Sequence, residues 1–213
     1  MTHDFEFRQL LRALRKGIIS EGTFEAELAE LERSAARANG GREGGFEAFS
    51  RTYRSERAAI VSFIDKVRAG EKNGGEAFAA WAEVCKTDCL RIGLRMIAER
   101  ESYHSRVFER RLAELGAEQR ATVTEGGRKF RVHLADPSIR DEEKLLFFTQ
   151  EVGSPEDAIK PIRELAALIK EDLATKEALR LFAEDEQSTV KWLWESCAAL
   201  NAPGAQDGKG SES

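Results

Sequence analysis

The chain contains few of the residues that build a disulfide framework or a cysteine-rich metal site. Its 213 residues include three cysteines and three histidines. An odd and sparse set of cysteines does not form a disulfide framework. Cys85-x-x-x-Cys89 has the form of one edge of a metal or redox site, but no second cysteine pair or histidine cluster completes it. We therefore interpret the cysteines as free thiols that are buried or half-buried.

Long apolar runs and an excess of positive charge are also absent. No run approaches the roughly 18 apolar residues that a membrane-spanning helix needs. The N-terminal "MTHDFEF" lacks the basic region and apolar core of a signal peptide. The formal net charge is -5, and no basic stripe of the kind found in nucleic-acid-binding proteins is concentrated in the chain. We expect a cytoplasmic protein that binds neither nucleic acid nor a membrane.

Helix-forming patterns fill most of the sequence. Apolar residues make up 41% and charged residues 33% of the chain, which is typical of helices with one buried stripe and a charged outer face. The pattern predicts four regions: a helical hairpin arm at 1–38, a glycine-rich linker at 39–45, a main domain at 46–200 and a disordered tail at 201–213. The arm would pack either on the main domain or on a second subunit, and the second arrangement would be a homodimer.

The main domain is predicted to contain four principal helices, A to D, and two intervening helices. Helix A starts at 46 and ends in the glycine-rich "GEKNGG" at 70–75. A stretch at 117–140 has no clear helical period, and we interpret it as a crossover connection. The other predicted helices are a short one at 76–84, helix B at 87–116, helix C at 141–152, a further helix at 154–173 and helix D at 174–200.

Two segments of this domain repeat one another. "GLRMIAERESYH" (93–104) returns later in the chain as "ALRLFAEDEQST" (178–189). A weaker match relates "ERAAIV" (56–61) at the first helix to "EKLLFF" (143–148). Two copies of a helical hairpin joined by a long crossover predict an all-α fold, an antiparallel four-helix bundle.

The repeated segments supply residues suited to a two-metal site. Such a site in a bundle takes one Glu from each of two helices and a Glu-x-x-His from each of the other two. Residues i and i+3 share a helix face, so both side chains can reach one ion. Carboxylates bridge two ions, and each imidazole binds one. The candidate metal ligands are five residues: Glu56, Glu101, His104, Glu143 and Glu186.

These motifs resemble those of the ferritin-like superfamily, in particular the small rubrerythrin-like diiron bundles. "IAERESYHSRVFERRLAELG" is similar to the second-helix motif of that group, and "FAEDEQSTVKWL" is similar to its fourth-helix motif. The resemblance covers about residues 46–200. It implies that the five candidates bind iron or manganese, with oxygen or peroxide as a small oxidant. The departure is Thr189, which stands where the second histidine is expected.

Two functions remain open at this point. The first is a metal-binding, iron-dependent oxidoreductase with an asymmetric or incomplete diiron site. The second is a degenerate, metal-free bundle that serves as a scaffold or interaction protein, with the N-terminal arm making the contact. Both are open because a threonine hydroxyl at position 189 is a poor iron ligand. A measurement of bound metal distinguishes them. The sequence does not decide whether the protein is an enzyme, and it gives no catalytic residue.

Overall fold

The computed structural model describes Ser20, residues 22–24, residue 27 and residues 45–202. The chain divides into two units, Met1–Gly45 and Phe46–Ser213. In the first unit, residues 22–24 are helical, and the Ser20 hydroxyl accepts a hydrogen bond from the Thr23 backbone N–H at 3.2 Å. The predicted arm, linker and tail otherwise lie outside the described residues.

The described part of the second unit is mostly helical. Its two short strands pair in antiparallel fashion: β1 (Phe46–Ala48) and β2 (Arg51–Tyr53). Six helices follow: α1 (Glu56–Val84), α2 (Asp88–Glu114), α3 (Glu125–Ala135), α4 (Asp141–Val152), α5 (Pro155–Leu168) and α6 (Leu173–Leu200). Among the described residues, no helix has both the length and the apolar character needed to cross a membrane.

The strands correct the prediction that a helix begins at residue 46. Phe49 and Ser50, which join β1 to β2, have φ angles of 54° and 57°. Two consecutive positive φ angles give the tight hairpin turn whose twist matches that of the strands. The Phe49 ring stacks on Phe63 of α1 with ring centroids 5.3 Å apart. This tertiary contact adds to the turn in favouring a hairpin where apolar spacing suggested a helix.

Helix α1 also corrects the predicted helix end at 70–75, because it continues through these glycines to Val84. At Gly75, an added Cβ would lie 2.5 Å from the Ser102 hydroxyl of α2. The glycine therefore allows α1 and α2 to pack closely within a continuous helix. The predicted crossover is corrected as well, since it contains α3, whose N-cap Thr124 accepts a hydrogen bond from the Gly127 N–H at 3.1 Å.

The principal helices form two antiparallel pairs. Contacts between α1 and α2 run in opposite sequence order: Arg57 with Leu115, Arg68 with Ser105, and Cys85 with Arg91. Contacts between the α5 and α6 regions do the same: Gly153 with Trp194, Arg163 with Gln187, and Ile169 with Lys176. Each pair is joined by a short loop, as expected for a helical hairpin.

The two hairpins follow the same offset of 85 residues as the segments 93–104 and 178–189, which pairs Glu56 with Asp141 and corrects the weaker sequence match of 56–61 to 143–148. The offset that relates 93–104 to 178–189 carries α1 onto 141–169, the span of α4 and α5 together, and carries α2 onto almost the span of α6. The first helix of the second half is therefore split. The break lies at Gly153, whose φ is 77°, and at Ser154, which caps α5 in a capping box with Asp157. Below, residues related by this offset are called equivalent.

A carboxylate at the start of each half holds the loop of the other half. Glu56 accepts backbone hydrogen bonds from 170–172, at 2.7, 2.9 and 2.9 Å. Asp141, which is equivalent to Glu56, accepts them from Lys86 and Thr87 at 2.9 and 3.1 Å. Lys86 and Thr87 are in turn equivalent to residues of the loop that Glu56 holds. We call these two contacts the reciprocal clasps.

Two apolar cores lie along the helices, with polar residues between them. The Trp81 core includes Phe78, Trp81, Leu90, Leu94, Leu145, Phe148, Val190 and Leu193. The Phe108 core includes Ile60, Ile64, Phe108, Leu112, Ile159, Leu165, Leu179 and Phe182. On α1, Glu71 is seven residues after Ile64 and seven before Phe78, so it lies between the cores on the same buried face. This level of the structure, which we call the polar layer, holds the candidate site.

Candidate metal centre

The central positions of the buried face of α2 are polar. Apolar residues occupy this face on both sides, at Leu94 and Ile97 before the polar positions and at Phe108 after them. Between them stand Glu101 and His104, which are only 6% and 4% exposed. The spacing of three and four residues places all five side chains on one helical stripe. The helix therefore carries a carboxylate and an imidazole into the interior.

Helix α6 carries the equivalent stripe. Leu179 and Phe182 precede the polar positions, and Leu193 follows them. Glu186 corresponds to Glu101, while Thr189 stands in the place of His104. Thr189 is buried, and its side chain also donates to the Asp185 carbonyl one turn earlier, at 3.2 Å. The stripes of α2 and α6 are therefore similar in sequence but differ at one position, where α2 has the imidazole of His104 and α6 has the hydroxyl of Thr189.

Three side chains from three helices converge in the polar layer. Glu71 of α1, His104 of α2 and Glu186 of α6 each offer a ligand atom, and these atoms all lie within 4.8 Å of one another. The His104 Nδ1 is 3.2 Å from Glu71 Oε2 and 3.6 Å from Glu186 Oε1. The other imidazole nitrogen, Nε2, is 3.0 Å from Asp185 Oδ2. Asp185 therefore orients the ring so that Nδ1 faces the two glutamates.

Glu101 lies next to Glu71, and the two carboxyl groups shift one another's pKa values. Gly74, one turn after Glu71, leaves room for the Glu101 carboxyl group. A Cβ at position 74 would lie 2.6 Å from Glu101 Oε2, which is closer than real Cβ contacts come. Glycine at position 74 therefore leaves free the space that the Glu101 carboxyl group occupies.

Burial makes the ionised carboxylates of this cluster costly. Burial, followed by repulsion from Glu186, raises the pKa of Glu71 well above its usual value. Burial and repulsion from Glu71 and Glu186 do the same to the pKa of Glu101. Burial also raises the pKa of Glu186, although the charges of His104 and Arg100 oppose this change. Carboxylates close together in a low-dielectric interior cannot all ionise without compensating positive charge.

Arg100 supplies a fixed positive charge on one side of the cluster. Its Nη2 donates a hydrogen bond to the Thr189 hydroxyl of α6. Its charge also lowers the pKa values of Glu71, Glu101 and Glu186, in opposition to the effect of burial. Its Nε atom is buried and has no hydrogen-bond partner among the described residues. The centre is therefore asymmetric, with an imidazole on one side and a guanidinium on the other.

The structure separates the five residues predicted from the sequence. Glu101, His104 and Glu186 lie together in the polar layer. Glu56 forms a reciprocal clasp, and it precedes Glu71 by 15 residues, about 22 Å along a helix. Glu143 is exposed and pairs with Arg140 at 2.7 Å. Both glutamates occupy the first turn of a helix, where carboxylates are stabilised by free N–H groups and the helix dipole.

Sequence reasoning missed Glu71, which the structure brings into the centre. A signal for it exists, because Glu71 continues the buried spacing from Ile64 to Phe78. The glycines that follow Glu71 hide this signal, since they are equally typical of a helix end. Treating Gly74 and Gly75 as close-packing residues inside a longer helix places Glu71 level with Glu101.

The cysteines take no part in the centre. All three thiols are free, as predicted, and Cys85 and Cys197 are buried; Cys89 is exposed, which corrects the prediction that all three are buried or half-buried. Burial raises the pKa of Cys85 to about 11, so its thiol stays protonated at neutral pH and is a weak nucleophile.

Comparisons of the chain with protein-family models, with curated proteins and with solved structures found no match.

Proposed function

We propose that the second unit is a ferritin-like four-helix bundle that binds one divalent iron or manganese ion. In this proposal α1, α2 and α6 are three of the bundle helices, and α4 with α5 forms the fourth. The ligands are Glu71, Glu101, His104 and Glu186. The observation that carries the proposal is the convergence of Glu71, His104 and Glu186 from three helices, with ligand atoms within 4.8 Å of one another.

The buried side chains fit a cation. Three buried or largely buried carboxyl groups face one another, and a cation between them removes the repulsion that burial creates. Glu186 Oε1 is buried and has no hydrogen-bond partner in the described structure, although buried carboxylate oxygens are usually paired. A metal ion would satisfy this oxygen.

The histidine is held as a metal ligand usually is. Metal-binding histidines commonly donate their second ring N–H to a carboxylate, which fixes the orientation of the ring. When Nε2 of His104 carries the hydrogen, it donates to Asp185, and Nδ1 is left facing Glu71 and Glu186. Asp185 thus positions the His104 ring, and its own side chain is about half exposed to solvent.

The ligand set favours a first-row metal with mixed oxygen and nitrogen preference. Carboxylates with one imidazole suit iron and manganese, whereas a soft metal would prefer thiolate ligands. Iron bound here would supply one-electron redox chemistry toward a small oxidant such as oxygen or peroxide. The protein residues hold the ion, orient His104 and exclude water through the Trp81 and Phe108 cores.

Metal analysis of protein purified without chelators tests the proposal. We expect about one iron or manganese ion per chain, and a rise in the melting temperature when ferrous or manganous ion is added. At an ion concentration of 100 times Kd, binding to the folded state alone stabilises it by about 2.7 kcal/mol. His104→Ala and Glu71→Gln should both abolish this gain.

Glu143→Gln is the matched control, because Glu143 was predicted from the sequence to be a ligand but lies exposed on the surface, paired with Arg140. It should bind metal like the unmodified protein. An absence of metal, together with no gain in melting temperature on adding either ion, would favour the metal-free scaffold instead.

A further inference from the structure

Arg100 and Asp185 occupy equivalent positions in the two halves of the protein. Each precedes a glutamate of the polar layer, Glu101 or Glu186. Each side chain also reaches across to the other half. Asp185 contacts the imidazole of His104, and Arg100 donates to the hydroxyl that stands at the equivalent position in α6. The two contacts are therefore equivalent in position, but an acidic residue makes one and a basic residue makes the other.

The second half also lacks counterparts of two of the proposed ligands of the first half. Thr189 stands at the position equivalent to His104, and the residue equivalent to Glu71 is Glu156, which is exposed in the first turn of α5, just after the helix break. The second half therefore contributes Glu186 to the polar layer, but neither an imidazole nor a second carboxylate from its first helix.

We propose that the guanidinium of Arg100 takes the place of a second metal ion in this bundle and limits the centre to one ion. This inference rests on the proposed function and deepens it, because it concerns the stoichiometry of the same site. Arg100 lies on the Thr189 side, where a second Glu-x-x-His would bind its ion. Its Nε–H, which has no partner in the described structure, leaves a donor available to a carboxylate.

Charge balance agrees with this arrangement. Among the buried groups, three ionised glutamates carry three negative charges, and one divalent ion with one guanidinium carries three positive charges; the Asp185 carboxylate is about half exposed, so solvent screens its charge. A second divalent ion beside Arg100 would bring an excess of positive charge into a largely buried site. Arginine suits this role because it stays protonated in protein interiors and its planar group donates to several oxygens.

The decisive experiment measures metal stoichiometry in a set of variants. Thr189→His alone restores an imidazole but keeps the guanidinium, so we expect it to bind one ion. Thr189→His combined with Arg100→Gln also removes the positive charge of the guanidinium, and this variant should bind two ions per chain. Thr189→His combined with Arg100→Lys keeps a positive charge and should stay at one. Cobalt(II) serves as the probe, counted by elemental analysis and by its visible absorption spectrum.

Arg95→Gln is the matched control, because Arg95 is an exposed arginine on the same helix, paired at the surface with Glu83 at 3.4 Å. Combined with Thr189→His it should leave one ion per chain. A combined Thr189→His and Arg100→Gln variant that is folded and still binds one ion would overturn the inference, as would an unmodified protein that binds two. An unmodified protein that binds none would instead remove the proposed function itself.

Arg100→Gln alone gives a second measurement in case the combined variant does not fold. Removal of a positive charge near a divalent ion should tighten cobalt binding by at least about tenfold, because a unit charge and a divalent ion about 4 Å apart repel by more than a tenfold change in affinity even at the dielectric constant of water. If Arg100 only braced Thr189 structurally, its loss would loosen the centre and weaken binding. Weaker binding in a folded Arg100→Gln protein therefore contradicts the inference.

Discussion

At the scale of single residues, the centre depends on which polar side chains replace apolar ones on a buried stripe. Glu101 and His104 interrupt the apolar face of α2, and Glu71 interrupts that of α1. Each lies on a buried stripe that is apolar towards both ends of the helix, so charge compensation comes largely from neighbouring helices. Gly74 also contributes, because it has no side chain and so leaves space for the Glu101 carboxyl group.

We predict that Gly74→Ala weakens metal binding by about tenfold. The added methyl group would lie 2.6 Å from Glu101 Oε2 and must displace that carboxyl group, which is the flexible end of its side chain. In an exposed helix interior, alanine is favoured over glycine by roughly 0.8–1.0 kcal/mol, so the variant should still fold. Titration with manganous ion against a chelating indicator measures the affinity.

Gly70→Ala is the control for this change. Gly70 lies one turn earlier in the same helix, and a Cβ there meets nothing within 4 Å. It should raise the free energy of unfolding by about 0.5–1 kcal/mol and leave metal affinity unchanged. Equal metal affinity in both variants would show that Glu101 is not a ligand.

At the scale of helices and loops, the reciprocal clasps join the two halves. Asp141 accepts hydrogen bonds from the backbone of Lys86 and Thr87 and from the Trp81 indole, the last at 2.9 Å. Burial alone would raise the pKa of Asp141, but these hydrogen bonds outweigh it and lower the pKa. Because each loop precedes the second helix of a hairpin, the clasps fix where α2 and α6 begin and so the level of their polar residues.

We predict that Asp141→Ala lowers the free energy of unfolding by about 2–4 kcal/mol, since it leaves several buried donors unpaired. Glu56→Ala removes the equivalent contact at a more exposed position and should cost about 1–2 kcal/mol. Urea denaturation followed by circular dichroism measures both. Glu143→Ala should leave stability nearly unchanged, because its ion pair is exposed. A change at Glu143 as large as that at Glu56 would contradict the assignment of Glu56 as a clasp.

At the scale of the whole molecule, two apolar cores enclose a polar layer, so folding itself buries the carboxyl groups. The pKa values of Glu71 and Glu101 are raised well above their usual 4.5. The folded protein therefore holds these protons more tightly than the unfolded chain does. Stability from this source is fully present below pH 4.5 and is lost as the pH rises through the raised pKa values.

We predict that the metal-free protein loses stability as the pH rises above 4.5. Each carboxyl group contributes a slope of up to about 1.4 kcal/mol per pH unit within its own window. Added manganous ion should reverse the loss, because the ion replaces the protons. Glu101→Gln should reduce the slope in metal-free protein, whereas Glu99→Gln, at an exposed position of the same helix, should not. Denaturant unfolding across pH 4–9 measures the slope, and an equal slope in both variants would contradict the prediction.

Much of the fold and part of the centre follow from local sequence. Apolar spacing predicted α2, α4 and α6 within a few residues, because a helix that buries one face repeats its apolar residues every three to four positions. The repeat at 93–104 and 178–189 indicated two related hairpins. It also selected Glu101 and Glu186, because the same Glu recurs in matched contexts, and His104, because it stands three residues after Glu101.

Tertiary structure decided the rest, because the remaining choices depend on neighbours distant in sequence. The glycines after Glu71 permit either a helix end or close packing, and contact with Ser102 selects close packing. Glu56 and Glu71 are both acidic residues on one helix, but only the second is level with Glu101, while the first meets the loop at 170–172. Likewise, the sequence shows that Thr189 stands at the position equivalent to His104, whereas the hydrogen bond from Arg100 to Thr189 appears only when the two halves pack together.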